Sequence, residues 1–276
     1  MITLRLYLET IAGDCYGWVE GFPGAFVSGS TAKEVERSAP RAFTEYILWL
    51  RLNGEPVLDG FNGLTSADFS PRLEQVVAEV AGGPCEARHR MNSDLSTLEP
   101  ADFERCLRIL GYSRADLIDA AGAFPPHEWD TAPPGAHSVR SALLQHADVE
   151  LSMLGKIGFE PTVRMHPDPL TTLSRIRSTF EATVRESFER PTSSQAQPDD
   201  SAWTLAKVLR MTIWHERMTT RQIAVRSNPR AYLRSVTGSE AVVRHRDTSE
   251  RSDGLTTSVE ESAPAARHTQ TSGYYY

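Results

Sequence analysis

The sequence lacks several features that mark common protein classes. It has only three cysteines in 276 residues, Cys15, Cys85 and Cys106, and no two of them are close together. An odd, widely spaced set argues against a disulfide framework and predicts a reducing, cytoplasmic location. No stretch approaches the roughly 20 apolar residues that a membrane span needs. The N-terminal residues show no basic segment followed by an apolar one, so we expect no signal peptide.

Positive charge is also scarce. The chain has 29 Lys and Arg against 36 Asp and Glu, a net charge of −7. Because neutralising phosphates requires an excess of basic residues, we expect no direct nucleic-acid binding. The first 99 residues carry 8 basic and 14 acidic groups, a net of −6, whereas the remainder carries 21 and 22. This asymmetry predicts a domain boundary near Pro100 and an acidic N-terminal domain suited to a basic protein partner.

The N-terminal part has the pattern of a small α+β domain. Apolar residues alternate along 2–8, which predicts a half-buried strand, and turn residues separate it from two further short strands near 15–19 and 25–27. A capping box at Thr31–Glu34 then opens a helix that ends near Gly54 and contains Pro40, where we expect a kink or a separate first turn. The segment 55–99 predicts only one strand, around Val76–Val80.

The C-terminal part has helical periodicity. Apolar stripes predict four helices, near residues 100–121, 138–157, 173–188 and 202–225, and therefore a four-helix bundle. Residues 235–276 contain no Ile, Phe, Trp, Met or Cys and a single Leu, so we expect a disordered tail. The expected class is α+β, with an α+β domain over 1–99 (core 1–60), an all-α bundle over 100–234 and the tail.

Polar residues on the inward faces of the second and fourth helices are the main candidate site. His146 and Glu150 fall within the apolar arc of 138–157, and His215, Glu216 and Thr219 lie on the inward side of 202–225. Burying such groups costs several kcal/mol unless they are paired or bind a cation. One interpretation is a divalent metal site. The alternative is a metal-free core in which His146 pairs with Glu216, or His215 with Glu150.

The helical part resembles DinB-like proteins. The resemblance rests on the motifs at 138–150 and 214–223, together with 112–117 and Trp129, and covers about 102–226. It implies a four-helix bundle, association as a homodimer, and a three-histidine site for zinc or nickel. Characterised relatives include thiol-dependent transferases and isomerases, in which the metal activates a low-molecular-weight thiol. His146 and His215 match the first two ligands, Thr219 stands at the third, and Glu150 and Glu216 are auxiliary candidates.

The N-terminal part resembles HicB-type domains over about residues 1–60. The resemblance rests on Gly17-Trp18, on Phe22-Pro23-Gly24 and on Gly29-Ser30-Thr31 before a helix that ends Tyr46-Ile47-Leu48-Trp49-Leu50. It implies an antitoxin-like module that sequesters a basic, RNA-cleaving protein, although the usual DNA-binding segment is replaced here by helices.

Two hypotheses follow from the sequence. The first is a small-molecule or thiol-cofactor binding protein with a weakened metal site, transferase- or isomerase-like if active. The second is a non-catalytic regulatory or protein-interaction module. Neither assigns a catalytic residue.

Overall fold

A computed structural model describes residues 1–11, 13–56, 61, 63–80, 91–132, 137–160, 162–190 and 203–227. The expected tail, 235–276, lies outside these residues. The described chain is of the mixed α+β class, a four-stranded sheet followed by helices. The strands are β1 (Ile2–Ile11), β2 (Asp14–Val19), β3 (Phe26–Gly29) and β4 (Phe69–Val80), and the helices are α1 (Ala32–Leu52), α2 (Asn92–Leu95), α3 (Pro100–Gly122), α4 (Val139–Gly155), α5 (Pro169–Glu189) and α6 (Leu205–Ser227).

The sheet has the strand order β3-β2-β1-β4. The first three strands pair antiparallel, and β4 returns to pair parallel with β1. The prediction of a strand near Val76–Val80 is confirmed, and the strand begins earlier, at Phe69. The crossover from β3 to β4 contains α1, which packs on the sheet. It begins where Thr31 accepts a hydrogen bond from the backbone of Glu34 and runs through Pro40 as one helix.

The prediction that β1 is half-buried is wrong. Leu4, Leu6 and Leu8 are buried as expected, but Tyr7 and Glu9, which point to the opposite face, are buried too, and Ile2 is exposed. Tyr7 lies opposite Trp18 on β2, and the Trp18 ring meets Trp214 of α6 edge-on. The sheet is therefore covered on both faces, by α1 and by α6.

The four long helices predicted after residue 100 are present. α3 continues through Gly111, and α4 begins where Ser138 accepts a hydrogen bond from the backbone of Ser141. α6 packs on both α3 and α4, and α4 also packs on α5. No helix in the described ranges combines the length and apolar character needed to cross a bilayer.

Helix α6 is buried on almost every side. Even the charged residues Lys207 and Arg210 are only 2% and 4% exposed. The sheet and α2 cover this side of the helix: Trp214 packs on the sheet, and Arg210 binds Asp94 of α2. One apolar core runs from β1 to α6. The expected division at residue 100 stays a prediction, and side chains from both parts contribute to this core.

Candidate functional site: a buried arginine–carboxylate–histidine cluster

The residues predicted to face inward meet in the interior. His146 and Glu150 lie one turn apart on α4, and His215 and Glu216 are neighbours on α6. His146, Glu150 and Glu216 are completely buried, and His215 is 9% exposed. The helical periodicity of the sequence therefore placed these side chains correctly, since each lies on the face of its helix that packs against the other helices.

Arginines that the sequence analysis did not single out contact both carboxylates. Arg177 of α5 donates to Glu150 Oε1 from Nε at 2.7 Å and to Glu216 Oε2 from Nη2 at 3.0 Å. Arg114 of α3 donates to Glu150 Oε2 from Nη2 at 2.8 Å and to Glu216 Oε1 from Nε. Ser113 adds a hydroxyl hydrogen bond to Glu216. Two guanidinium groups thus bridge two carboxylates, and their formal charges cancel.

The electrostatics of the cluster favour the ionised form of Glu216. Burial alone would raise the pKa of Glu216, but the charges of Arg177 and Arg114 and the hydrogen bond from His146 hold it well below its usual range. Although burial disfavours the charge of Arg177, Glu216 and Glu150 raise its pKa. Removing one partner of a buried ion pair leaves an uncompensated charge in the interior. The stability of each of the four charged groups in the core therefore depends on the other three.

The two imidazoles extend the cluster toward the sheet. His146 Nε2 lies 3.2 Å from Glu216 Oε1, and the Nδ1 atoms of His146 and His215 are 3.2 Å apart. An ionised carboxylate only accepts hydrogen bonds, so Nε2 of His146 carries the proton on that side. The facing Nδ1 atoms of His146 and His215 form a second hydrogen bond of the cluster. Burial, with a contribution from His146, lowers the pKa of His215 to about 3, so its imidazole is neutral at physiological pH.

One of the two alternative pairings predicted for a metal-free core is present. His146 contacts Glu216 at 3.2 Å, and its Nε2 is 4.0 Å from Glu150. Instead of Glu150, His215 has His146 as its partner. Glu150 is bound by Arg114 and Arg177.

Thr219, at the expected third-ligand position, is buried but turned toward its own helix. Its hydroxyl donates to the backbone oxygen of His215, one turn earlier, at 3.0 Å. Threonine commonly makes this bond in helices. The Thr219 hydroxyl therefore has a hydrogen-bond acceptor within its own helix and does not need a ligand for this.

Three of the buried residues carry the kinds of donor atom that bind divalent metals. His146, Glu150 and Glu216 each offer a ligand atom, and the three atoms lie within 4.8 Å of one another. However, each carboxylate already binds two arginines, and a cation entering between them would face two guanidinium charges. As arranged, these residues do not fit a divalent metal.

The sequence contained a signal for the two missed arginines. Arg114 lies between Leu110 and Leu117, and Arg177 lies between Leu173 and Phe180, so both fall within apolar stripes at helical spacing. A charged residue in such a stripe is buried only when it is paired. The two inward arginines, on α3 and α5, therefore match in number the two inward glutamates, on α4 and α6.

The space beside His215 is small. A cavity of about 30 Å³ borders His215 and Thr219 together with Tyr16, Gln145 and Gln222. That volume is about one water molecule's share of the liquid, too small for a thiol cofactor.

Comparisons with known proteins identify no relative: no family model, curated protein or solved structure matches the chain. The function has to be argued from the geometry alone.

Proposed function

We propose that the chain is a non-catalytic binding protein whose helical part is held together by the arginine–carboxylate cluster and needs no metal. The observation that carries this proposal is the pairing of Glu150 and Glu216 with Arg114 and Arg177. The positive charge that a divalent ion would bring to the two glutamates is already present as guanidinium groups. The DinB-like resemblance concerns the helical scaffold in this interpretation and not its metal chemistry.

The state of His215 supports the same conclusion. A general base works best when its pKa lies near the working pH, whereas burial lowers the pKa of His215 to about 3. The neighbouring cavity of about 30 Å³ also has no room for an organic substrate. Both features fit an imidazole that contributes hydrogen bonds to a packed interior.

The proposal is tested by the metal content of the purified full chain, with and without added zinc or nickel. We expect less than stoichiometric metal in the wild type, and the same in Thr219→His, because the third imidazole leaves both guanidinium charges in place. Stoichiometric metal in the wild type that is lost in His146→Ala would contradict the proposal. Thr219→Val serves as a control for changes in packing at position 219.

A second candidate function is metal-dependent thiol transfer or isomerisation, as the DinB-like resemblance implies. It is favoured by the closeness of His146, Glu150 and Glu216, whose ligand atoms lie within 4.8 Å of one another. Zinc or nickel would there activate a bound thiol or water, and both arginines would have to leave the carboxylates. The metal measurement distinguishes this candidate from the first.

The N-terminal part is proposed to provide protein interaction, in line with its HicB-like resemblance. The net charge of −6 over residues 1–99 is complementary to a basic partner. Association of two copies is a further proposal, and size-exclusion chromatography with light scattering tests it.

A further inference from the structure

A cavity of about 280 Å³ lies where the two parts of the chain meet. It is bordered by the turn Gly21–Pro23 from the sheet, by the segment following residue 92, and by α3 and α6. This volume is close to the lower end of those that bind small organic molecules. It is about nine times that of the cavity beside His215.

Arg105 of α3, in the wall of this cavity, is bound less well than the arginines near it. Its Nη1 makes one long hydrogen bond, 3.4 Å, to the backbone oxygen of Gly21, and its guanidinium lies 5.5 Å from the centre of the Phe22 ring. Its Nε and Nη2 atoms are shielded from solvent and have no hydrogen-bond partner among the residues that the structure describes. A shielded cationic donor without an acceptor is costly, and an anion removes that cost.

Two nearby arginines bind a carboxylate with the edge of the guanidinium that carries Nε and Nη2. Arg210, which also borders the cavity, places Nε and Nη2 on the two oxygens of Asp94, at 3.0 and 2.7 Å. Arg108, one turn after Arg105, places Nε and Nη2 on the two oxygens of Glu55, at 3.2 and 2.8 Å. This edge is the one that presents two parallel N–H groups to a carboxylate. Arg105 has the same edge, and no carboxylate of the described part of the chain binds it.

The rest of the wall is mainly apolar. Pro23, Leu98, Cys106 and Ala206 line it, and hydroxyls of residues in the segment after α2 contribute polar groups. Burial raises the pKa of Cys106 to about 12, so its thiol stays protonated and acts as an apolar surface, not a nucleophile. The exposed Asp102 also borders the cavity, which disfavours a ligand with several negative charges.

We propose that this cavity binds a small organic monocarboxylate, with the carboxylate on Nε and Nη2 of Arg105 and the apolar part against Leu98, Cys106 and Ala206. Because both nitrogens are shielded in this structure, the guanidinium turns from the Phe22 ring toward the cavity when the ligand enters. The inference rests on the proposed binding function and names its ligand class. It involves none of the cluster residues.

Isothermal titration calorimetry on the full chain tests the proposal with three probes: hexanoate, hexan-1-ol as its uncharged analogue, and inorganic phosphate. We expect saturable binding of hexanoate and none of hexan-1-ol. Arg105→Met, which keeps most of the side-chain length but removes the charge, is expected to weaken hexanoate binding about tenfold or more, since hydrogen bonds to charged groups are strong. Arg175→Met, at an exposed arginine of α5, removes the same charge elsewhere and is expected to leave the affinity unchanged.

A second variant keeps the test valid if Arg105→Met does not fold, which circular dichroism and thermal melting would show. Ala206→Phe leaves Arg105 intact but fills the apolar end of the cavity, and it is expected to abolish hexanoate binding. Three results would each overturn the proposal: no saturable hexanoate binding to the wild type, equal binding in Arg105→Met or Ala206→Phe and the wild type, or phosphate binding without hexanoate binding. These results leave the metal measurement unaffected, so failure of this inference and failure of the proposed function are distinguishable.

Discussion

At the scale of single residues, the interior depends on charges that neutralise one another. Arg177 is 7% exposed and contacts both Glu150 and Glu216, whereas Arg185, two turns later on the same helix, pairs with Glu104 at the surface. Helix α5 therefore carries both a buried and a solvent-exposed Arg–Glu pairing. The energetic difference between the two pairs follows from their desolvation, because water screens only the surface pair.

Substitution of these two arginines measures that difference. Arg177→Met leaves two buried carboxylates with one arginine, and we expect it to lower the free energy of unfolding by about 3–5 kcal/mol. Arg185→Met is the matched control, and its expected cost is about 1 kcal/mol or less. Urea unfolding at neutral pH measures both. Similar costs for the two variants would show that the cluster adds little to stability.

His215 gives the cluster a dependence on pH. Because burial lowers its pKa to about 3 from the usual 6.5, the unfolded chain binds a proton between these two values that the folded chain does not bind. The contribution to stability is complete above pH 6.5 and decreases as the pH falls toward 3, with a slope of at most about 1.4 kcal/mol per pH unit. We expect His215→Leu to lose this slope between pH 6.5 and 5 in urea unfolding.

His127→Leu is the control for this measurement, since the His127 side chain is 80% exposed. It is expected to keep the slope of the wild type. If wild type and His215→Leu have parallel pH profiles over this range, His215 is not the group responsible.

The candidate site could be predicted from the sequence only in part. Helical spacing placed His146, Glu150, His215 and Glu216 in the interior, because a helix with one apolar face has a defined inward direction. Which of the two alternative pairings forms was not predictable, since pairing depends on the relative rotation of helices that are distant in sequence. The arginines were missed because a charged residue is normally assigned to the solvent-facing side.

At the scale of elements, the contact between the sheet and α6 requires a close approach at Gly24. This residue has a φ of +82°, and a Cβ atom there would collide with the side chain of Ile213. Gly13 has a similar φ of +88° but open space around it. The two glycines therefore separate the cost of backbone strain from the cost of a steric collision.

Alanine substitutions at these two positions test the contact. Gly13→Ala is expected to cost about 1–2 kcal/mol, from the left-handed backbone alone. Gly24→Ala carries the same strain and also pushes α6 away from the sheet, so we expect a cost at least about 1 kcal/mol larger. Thermal and urea unfolding of both variants provide the comparison. Equal destabilisation would mean that the sheet and α6 are not packed as described.

The elements themselves were largely predictable, and their environment was not. The long helices after residue 100 were identified from apolar periodicity, and in the structure α3 begins at Pro100 and α4 is capped by Ser138. The alternation in β1 suggested one buried face, but Tyr7 and Glu9 are buried as well, on the face where Trp18 packs against Trp214 of α6. Periodicity records which face is apolar and not which polar face a neighbouring element will cover.

At the scale of the whole molecule, direct contacts join the residues before and after position 100. Trp49 of α1 donates to Asp116 of α3 at 2.6 Å, and Arg217 of α6 donates to the backbone oxygen of Gly24 at 2.8 Å. The Arg217 guanidinium also lies 4.2 Å from the centre of the Trp49 ring. With a shared apolar core, these contacts couple the folding of the sheet to that of the helices.

We therefore expect the full chain to unfold in a single transition. Tryptophan fluorescence, to which all five tryptophans contribute, including Trp18 and Trp214 at the contact between sheet and helix, and far-ultraviolet circular dichroism should give coincident curves. A fragment ending at residue 99 is expected to lack fixed tertiary structure, because Tyr7 and Trp18 lose their cover. Two separated transitions, or a folded fragment 1–99, would instead support independent domains.

The position of α6 in the chain has a consequence for biosynthesis. Ribosomes release the strands and α1 first, whereas the helix that shields the aromatic face of the sheet follows only after residue 205. A nascent chain of about 200 residues thus presents Tyr16 and Trp18 to solvent or to a chaperone. Maturation is complete only when α6 is inserted between the sheet and the other helices, so ribosome-bound intermediates that stop short of this helix are those most prone to aggregate.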